Sequence, residues 1–199
     1  FGSIASPQTA GVPFLVSITA LDFYNNTAAA FADSVTLSEP FNTISPSKIG
    51  GFLNGAWIGD VSLTKADSTI TITATSLGKT GVSNAFSVEH AALDHFTISL
   101  IGNKTAGASF TIYITAQDQY ANTAASYTQT VTLQDESNTL TPATSGTFSS
   151  GFWTGQVSIT KSQQTSVTVG GAGKSGQSNS FFVGPAALHH FSIEPISEQ

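Results

Sequence analysis

The stretch Phe110-Thr111-Ile112-Tyr113-Ile114-Thr115-Ala116-Gln117 alternates apolar side chains with polar ones and one tyrosine. A period of two over eight residues predicts a β-strand that buries one face. The stretch Phe14-Leu15-Val16-Ser17-Ile18-Thr19-Ala20-Leu21 lies 96 residues earlier and alternates in a similar way. The two stretches predict a chain of β-strands in which one part repeats another.

Three further segments occur twice, about 95 to 96 residues apart: Trp57-Ile58-Gly59 with Trp153-Thr154-Gly155, Ser62–Lys65 with Ser158–Lys161, and Ala91–Phe96 with Ala186–Phe191. A period of this length matches one whole domain rather than a short solenoid repeat. We therefore predict a first repeat over residues 1–90 and a second over 91–185. Residues 186–199 are predicted to be the start of a third repeat or a tail.

Turn signals separate about seven short alternating stretches in each repeat, and they include Asn25-Asn26, Ser45-Pro46, Gly50-Gly51 and Asn54-Gly55. Short strands with a turn every 8 to 12 residues are typical of a β-sandwich. The predicted fold class is all-β, with two tandem immunoglobulin-like β-sandwiches of about seven strands each. The junction near residues 89–92 has no Gly/Ser-rich linker, so we expect a semi-rigid end-to-end arrangement.

The composition limits the classes of function. The chain has 199 residues, 40% of them hydrophobic and 9% charged, with 12 acidic residues against 6 Lys and Arg. A net charge of −6 without a basic patch argues against nucleic acid as a partner. No apolar run has the length of a membrane span, so no membrane insertion is predicted. The absence of Cys and Met in this acidic, Ser/Thr-rich chain fits an exposed extracellular or cell-surface protein.

The repeated motifs follow a fixed order: Leu-x-His-Phe, Thr-Ala-Gly, a long strand ending in Asp-x-x-x-Asn, Gly-x-Trp-x-Gly, and Gly-Lys-[Thr/Ser]-Gly-x-Ser-Asn-x-Phe. This order resembles the bacterial and archaeal immunoglobulin-like repeats of large surface proteins, the Big-type domains of the invasin and intimin kind. The resemblance implies a structural or adhesive role in a long extracellular protein. In that family the turn after the long strand has Gly where this chain has Asn25 and Ala121.

The loops Asp22–Asn26 and Asp118–Asn122 are the first candidate sites. The side chains of Asp22 and Asn26, or of Asp118 and Asn122, could join backbone carbonyls around Ca²⁺, which prefers six to eight oxygen ligands. The same side chains could instead cap their own turn by accepting bonds from nearby backbone N–H groups. Turn capping is favoured because two side-chain ligands are few for calcium. No other cofactor is predicted.

Two further kinds of site have open alternatives. Trp57 and Trp153 could stack on a sugar ring or a partner surface, or could fill the core close to the flanking glycines, which is favoured. Asn25 and Asn103 each begin an Asn-x-Thr pattern for N-glycosylation.

No nucleophile elbow, phosphate loop or carboxylate pair indicates catalysis, so an enzyme is not predicted. The predicted function is that of a structural or spacer module, in a stalk, filament or surface-layer array. An adhesive module that binds carbohydrate or a host or neighbour surface by avidity is the alternative. Expected partners are neighbouring repeats of the same chain, other copies of the protein or a surface polysaccharide. Exposed Ser/Thr-rich edge strands could pair with such neighbours.

Overall fold

The computed structural model describes residues 1–193, and all their regular secondary structure is β-strand, in 18 strands. The all-β class predicted from the alternating stretches is therefore confirmed. Within this part of the chain there is no helix that could cross a membrane.

The strands divide at the start of the second repeat. The first nine are β1 (Gln8–Thr9), β2 (Phe14–Thr19), β3 (Val35–Ser38), β4 (Lys48–Ile49), β5 (Ala56–Val61), β6 (Asp67–Ile70), β7 (Thr73–Ser76), β8 (Lys79–Val82) and β9 (Phe86–Glu89). The others are β10 (Leu93–Ile98), β11 (Lys104–Thr105), β12 (Phe110–Asp118), β13 (Thr132–Asp135), β14 (Phe152–Val157), β15 (Gln163–Thr165), β16 (Val167–Gly171), β17 (Lys174–Gln177) and β18 (Phe181–Gly184).

The chain forms two compact units whose limits differ from a simple division at one residue. The first unit contains Phe1–Asp94 together with Gln117–Ala125, and the second contains His95–Ala116 and the chain from Ser126 onward. The loop after β12 thus belongs to the second repeat by sequence and to the first unit by packing. The domain limits predicted from the repeats stay a prediction. Residues 186–193 contain no strand, and residues 194–199 of the predicted third segment lie outside the described residues.

The first unit has three sheets, in the orders β1-β9-β6, β2-β5 and β4-β3-β7-β8. Strand β2 pairs antiparallel with β5, from Phe14 opposite Val61 to Thr19 opposite Ala56. The inward side chains of these sheets form one core, which includes Val16, Ile18, Leu37, Val61, Leu63, Ile70, Ile72, Phe86 and Val88.

The second unit has the corresponding sheets β11-β18-β15, β10-β12-β14 and β13-β16-β17. Strand β12 pairs with β14 from Phe110 opposite Val157 to Thr115 opposite Phe152. Its burial follows the sequence alternation, because Phe110, Ile112, Ile114 and Ala116 are buried while Thr111 and Tyr113 are exposed. The alternating stretch therefore sets which face of this sheet enters the core.

The asparagine of the closing Ser-Asn motif connects segments that are distant in sequence by hydrogen bonds. In the first unit the Asn84 amide accepts a bond from Ile4 N at 2.8 Å and donates to Ile4 O at 2.9 Å. In the second unit Asn179 makes the same two bonds to Ile101, both at 2.8 Å. The motif is therefore structural in both units, since each amide joins the beginning of a repeat to its end.

Candidate functional site

The loop after β12 is closed by the carboxylate of Asp118. Its Oδ1 accepts bonds from Tyr120 N and Asn122 N, both at 2.9 Å, and its Oδ2 accepts a bond from Asn122 Nδ2 at 2.9 Å. These are the bonds of a turn capped by its own aspartate. The loop folds locally, because the short polar side chain at its first position accepts these bonds and the backbone at its fourth position is left-handed.

The same two side chains also bond to backbone groups elsewhere in the first unit. Asp118 Oδ2 accepts a bond from Ala91 N at 2.8 Å. Asn122 donates through Nδ2 to Thr64 O at 2.7 Å, and its Oδ1 accepts from Ala66 N at 2.9 Å. Asp118 and Asn122 are buried to 0% and 2% exposure. Their polar atoms therefore help to hold the loop in place by hydrogen bonds.

The ring of Tyr120 in this loop lies against Gly11. A Cβ on Gly11 would stand 2.1 Å from the Tyr120 hydroxyl and 2.5 Å from its ring, and the φ of Gly11 is +76°. Only glycine meets both conditions, because it lacks a Cβ and tolerates left-handed backbone. The glycine of the Thr-Ala-Gly motif therefore provides the surface on which Tyr120 packs.

The loop after β2 has the same internal bonds. Asp22 Oδ1 accepts from Tyr24 N at 2.8 Å and from Asn26 N at 2.9 Å, and Asn26 Nδ2 donates to Asp22 Oδ2 at 3.1 Å. This loop is exposed, with Phe23 at 93% and Tyr24 at 79% exposure. The two rings meet edge to face, with centroids 5.3 Å apart. The same motif is therefore buried at its second occurrence and exposed at its first.

Hydrogen bonding lowers the pKa of both aspartates. For Asp22 the side-chain bond from Asn26 is the largest cause of the lowered pKa. For Asp118 burial is the largest single influence and raises the pKa, but the donors on Asn122, Ala91 and Tyr120 together outweigh it and the pKa is lowered. Both carboxylates are thus held in their charged form, since every donor favours the anion.

A second pair of acidic side chains caps the two loops that follow β3 and β13. The sequence analysis did not identify this role. Asp135 Oδ1 accepts from Thr139 N at 2.5 Å and Leu140 N at 2.7 Å. Glu39, 96 residues earlier, accepts from Phe41 N at 2.6 Å and from Thr43 N. Both acids are buried. An acid at the same repeat position in both halves was the signal that could have identified this cap.

A groove of about 370 Å³ opens in the first unit beside β2 and β8. Its walls are mainly apolar and include Phe31, Phe52, Ala74 and Val82. At the corresponding place of the second unit, Phe96 is buried against Tyr127 and Phe148, with ring centroids 5.2 and 6.0 Å apart. The groove of the first unit therefore lies at the place that the ring of Phe96 occupies in the second unit.

The indoles of Trp57 and Trp153 are half-buried. Each lies over the glycine two residues later, so that a Cβ on Gly59 or Gly155 would stand 2.5 or 2.4 Å from the ring. Trp57 packs against the core of the first unit. The glycines are therefore needed for space, whereas stacking on a ligand stays a prediction.

The two glycosylation patterns lie in exposed loops. Asn25 is exposed at a φ of +66° in the first Asp-x-x-x-Asn loop. Asn103 is also exposed, and its Oδ1 accepts a bond from Phe182 N at 3.0 Å. Modification of either asparagine stays a prediction.

The residues described contain no group of three or more His, Asp or Glu that could hold a metal ion. In both Asp-x-x-x-Asn loops the oxygens of the aspartate are used by donors of the loop itself. The calcium hypothesis for Asp22, Asn26, Asp118 and Asn122 stays a prediction.

No family model matches the chain, and no curated protein matches it significantly. Among solved structures it is similar to the D0-D1 domain of intimin, at 11% identity and a TM-score of 0.35 over 89% of this chain and 94% of that chain. It is similar to domains 4 and 5 of the S-layer protein SbsC, at 15% identity and a TM-score of 0.36 over 75% and 76%. A β-glycosidase from Bacteroides vulgatus is also similar, at 14% identity and a TM-score of 0.43 over 92% of this chain and 24% of that chain.

Proposed function

We propose that this chain is a structural module of a large extracellular surface protein, in which successive repeats form a stalk, filament or surface layer. The observation that carries the proposal is the loop Gln117–Ala125, which belongs to the second repeat by sequence and folds as part of the first unit. Asp118 and Asn122 of this loop bond to backbone groups of Thr64, Ala66 and Ala91 in the first unit. From this loop the proposal predicts limited bending between successive repeats, as a spacer requires.

Two properties of the chain support the proposal. The repeat period and the short junction are typical of domain arrays. The scattered acids and the absence of a metal-binding group in residues 1–193 favour a mechanical role over a chemical one.

Small-angle X-ray scattering of the dilute chain tests the spacer function. We expect one narrow distribution of dimensions, which broadens in the double variant Asp118→Ala/Asn122→Ala because the junction loop is released. The matched control Asp22→Ala/Asn26→Ala removes the same motif from the exposed loop and should leave the scattering unchanged. Circular dichroism checks that both variants keep their strands. A distribution that is already broad in the unmodified chain would contradict the proposal.

An adhesive module is the second candidate, and the exposed Phe23 and Tyr24 favour it, since exposed aromatic side chains are common in binding surfaces. Carbohydrate that binds there should shift the Tyr24 ring resonances in NMR spectra. Binding that survives the Phe23→Ala/Tyr24→Ala double variant would exclude this surface.

A further inference from the structure

Strand β18 carries an aromatic side chain on its outer face, where a half-buried strand usually has a polar one. Phe181 and Val183 are buried, whereas Phe182 between them is 44% exposed. A Cβ on Gly184 would stand 3.7 Å from the Phe182 ring, so the ring lies along the strand beside a residue without a side chain. Phe182 therefore offers an apolar surface on the outside of this sheet.

Asn103 lies next to this ring on the neighbouring strand. Strand β11 pairs in parallel with β18, with Thr105 opposite Gly184, and Asn103 directly precedes β11. Its Oδ1 accepts a bond from Phe182 N at 3.0 Å. Asn103 and Thr105 are both exposed, because alternate residues of a strand point to the same face. The sheet therefore places an asparagine, a threonine two residues later and an exposed phenylalanine on one outer face.

The bond to Phe182 uses the oxygen of the Asn103 amide and leaves the nitrogen available. Within residues 1–193, Asn103 Nδ2 donates no hydrogen bond. A glycan on an Asn-x-Thr pattern is attached through this nitrogen and replaces one of its hydrogens. Asn103-Lys104-Thr105 is such a pattern. A glycan can therefore be attached without breaking the bond that the Asn103 oxygen makes.

The first repeat binds the same backbone group with a different pair of side chains. Ser87 corresponds to Phe182, and Ser87 N donates to Ser6 Oγ at 3.0 Å. The hydroxyl groups of Ser6 and Ser87 also bond to each other, at 2.9 Å. A serine is therefore enough to bind this N–H group, so that bond alone does not explain why Asn103 and an exposed Phe182 occur together. Ser6 is exposed although another repeat follows it, so the exposure of this face does not depend on the end of the chain.

We propose that Asn103 is an attachment site for an N-linked glycan and that the first sugar of this glycan packs on the ring of Phe182. The donor is an oligosaccharide on a polyprenyl pyrophosphate, and a transferase of the secretory membrane catalyses the step. Asn103 Nδ2 forms a bond to C1 of the sugar and loses one proton to a base of the transferase. The bond between C1 and the pyrophosphate oxygen breaks, and the lipid pyrophosphate leaves. The inference rests on the extracellular location in the proposed function and adds a modification to it.

The chemistry of a sugar fits this outer face. One face of a pyranose ring consists of C–H groups, which pack on an aromatic ring while the hydroxyl groups stay in water. Gln164 lies opposite Phe182 on β15 and is exposed. Its Nε2 bonds to Ser180 Oγ at 2.8 Å, so its Oε1 can accept a bond from a sugar hydroxyl. Because the sugar is attached to the residue beside the ring, its effective concentration there is high and a weak contact suffices.

Secretion of the chain from a eukaryotic cell that modifies Asn-x-Thr patterns tests the attachment. The chain carries Asn25→Gly, which removes the other pattern and suits the φ of +66° at that position. We expect an intact mass higher by one oligosaccharide, and peptide mass spectrometry should locate it on Asn103. Asn103→Gln is the control and should have the mass of the polypeptide alone. An unmodified Asn103 in the secreted chain would overturn the proposal.

Thermal unfolding tests the packing on Phe182. The secreted chain, trimmed by an endoglycosidase to its first sugar, is compared with the same chain made in a bacterial cytoplasm that adds no sugar. We expect the sugar to raise the unfolding temperature by about 2–4 °C. Phe182→Ser introduces the residue of the first repeat and keeps the backbone N–H, so its sugar should be attached but should give no rise. The difference between the two differences isolates the contact from any direct effect of the substitution.

NMR spectra of the trimmed chain give a second measure of the same contact. Packing on the ring should shift the acetyl methyl resonance of the first sugar upfield, and Phe182→Ser should remove the shift. An equal rise in unfolding temperature in both chains, together with an unshifted methyl resonance, would overturn the packing on Phe182. Scattering from the chain without sugar tests the spacer function by itself, so failure of the glycan proposal is distinguishable from failure of that function.

Discussion

Asp118 shows how one residue gains its role from its surroundings. It accepts two backbone bonds from its own loop, one bond from Asn122 Nδ2 and one from Ala91 N. Asp22 makes only the bonds within its loop. Each buried donor that loses its acceptor destabilises the fold, whereas an exposed donor can bond to water.

We therefore expect Asp118→Ala to lower the free energy of unfolding by about 2–4 kcal/mol, because several buried donors lose their acceptor. Asp22→Ala is the matched control and should have a much smaller effect, since its loop is exposed. Urea unfolding followed by tryptophan fluorescence measures both. Equal losses in the two variants would contradict the role given to Asp118.

The lowered pKa values predict how stability depends on pH. For Asp135 burial raises the pKa, but the donors on Ser137, Leu140 and Thr139 outweigh it, as the donors around Asp118 do. The folded state therefore binds fewer protons than the unfolded state around the carboxyl pKa. The stabilisation is fully present above the unfolded value of about 4 and is lost as pH falls through the lower folded pKa.

The expected result is a free energy of unfolding that decreases steadily below about pH 4. In Asp135→Asn this decrease should be shallower, because one of the linked carboxylates is gone. Urea unfolding at a series of pH values measures the slope. A slope that is unchanged in this variant would show that Asp135 does not contribute.

Ala121 has a φ of +61° at the fourth position of its Asp-x-x-x-Asn loop. An alanine is strained there because its Cβ approaches the neighbouring carbonyl. We expect Ala121→Gly to raise the free energy of unfolding by about 0.5–1 kcal/mol. Ala125→Gly in the same loop is the control and should not stabilise, because Ala125 is not among the residues with positive φ. Thermal unfolding distinguishes the two.

At the scale of elements, strand β10 of the second unit and the groove of the first unit lie at corresponding places. Strand β10 supplies Phe96 to the aromatic cluster of the second unit. In the first unit the corresponding space is the groove beside β2. The two glycines that face this space, Gly81 in β8 and Gly176 in β17, are therefore in different environments despite their shared motif.

Gly176→Val should lower the free energy of unfolding by at least about 1–3 kcal/mol, because its Cβ would overlap the Phe96 backbone. Gly81→Val should be neutral or slightly stabilising, since its Cβ has open space and valine favours a strand. Thermal unfolding of both variants compares them directly. A large loss in Gly81→Val would mean that the groove is closed in solution.

At the scale of the whole molecule, the chain is stabilised by two apolar cores and by capped turns, with no Cys available for a disulfide. The turn caps are satisfied by groups of the protein itself. A bound ion would have to compete with these donors for the same oxygens.

Calcium binding is tested on the whole chain by thermal unfolding with millimolar Ca²⁺ and with a chelator. We expect the same unfolding temperature in both, since the aspartate oxygens already accept bonds from backbone N–H groups. A ligand that binds only the folded state would raise that temperature. A rise that is lost in Asp22→Ala would establish a calcium site in the exposed loop.

Much of the fold follows from local sequence. The alternation of Phe110–Gln117 fixes which side chains face the core, because successive residues of a strand point to opposite faces. The 96-residue offset of that stretch from Phe14–Leu21 indicates the repeated architecture. Short polar loops such as Asp118–Asn122 fold by bonds within five residues, so their turns could be predicted as well.

The sequence by itself determined the strands, the repeat and the capped turns, because each depends on neighbours in the chain. Only the tertiary structure decided that Asp22 is exposed and Asp118 is buried, since the same motif meets Ala91 and Thr64 in one case. It also decided that Trp57 and Trp153 are half-buried over glycines. Burial depends on which distant parts of the chain pack against a residue, and a local motif does not specify those parts.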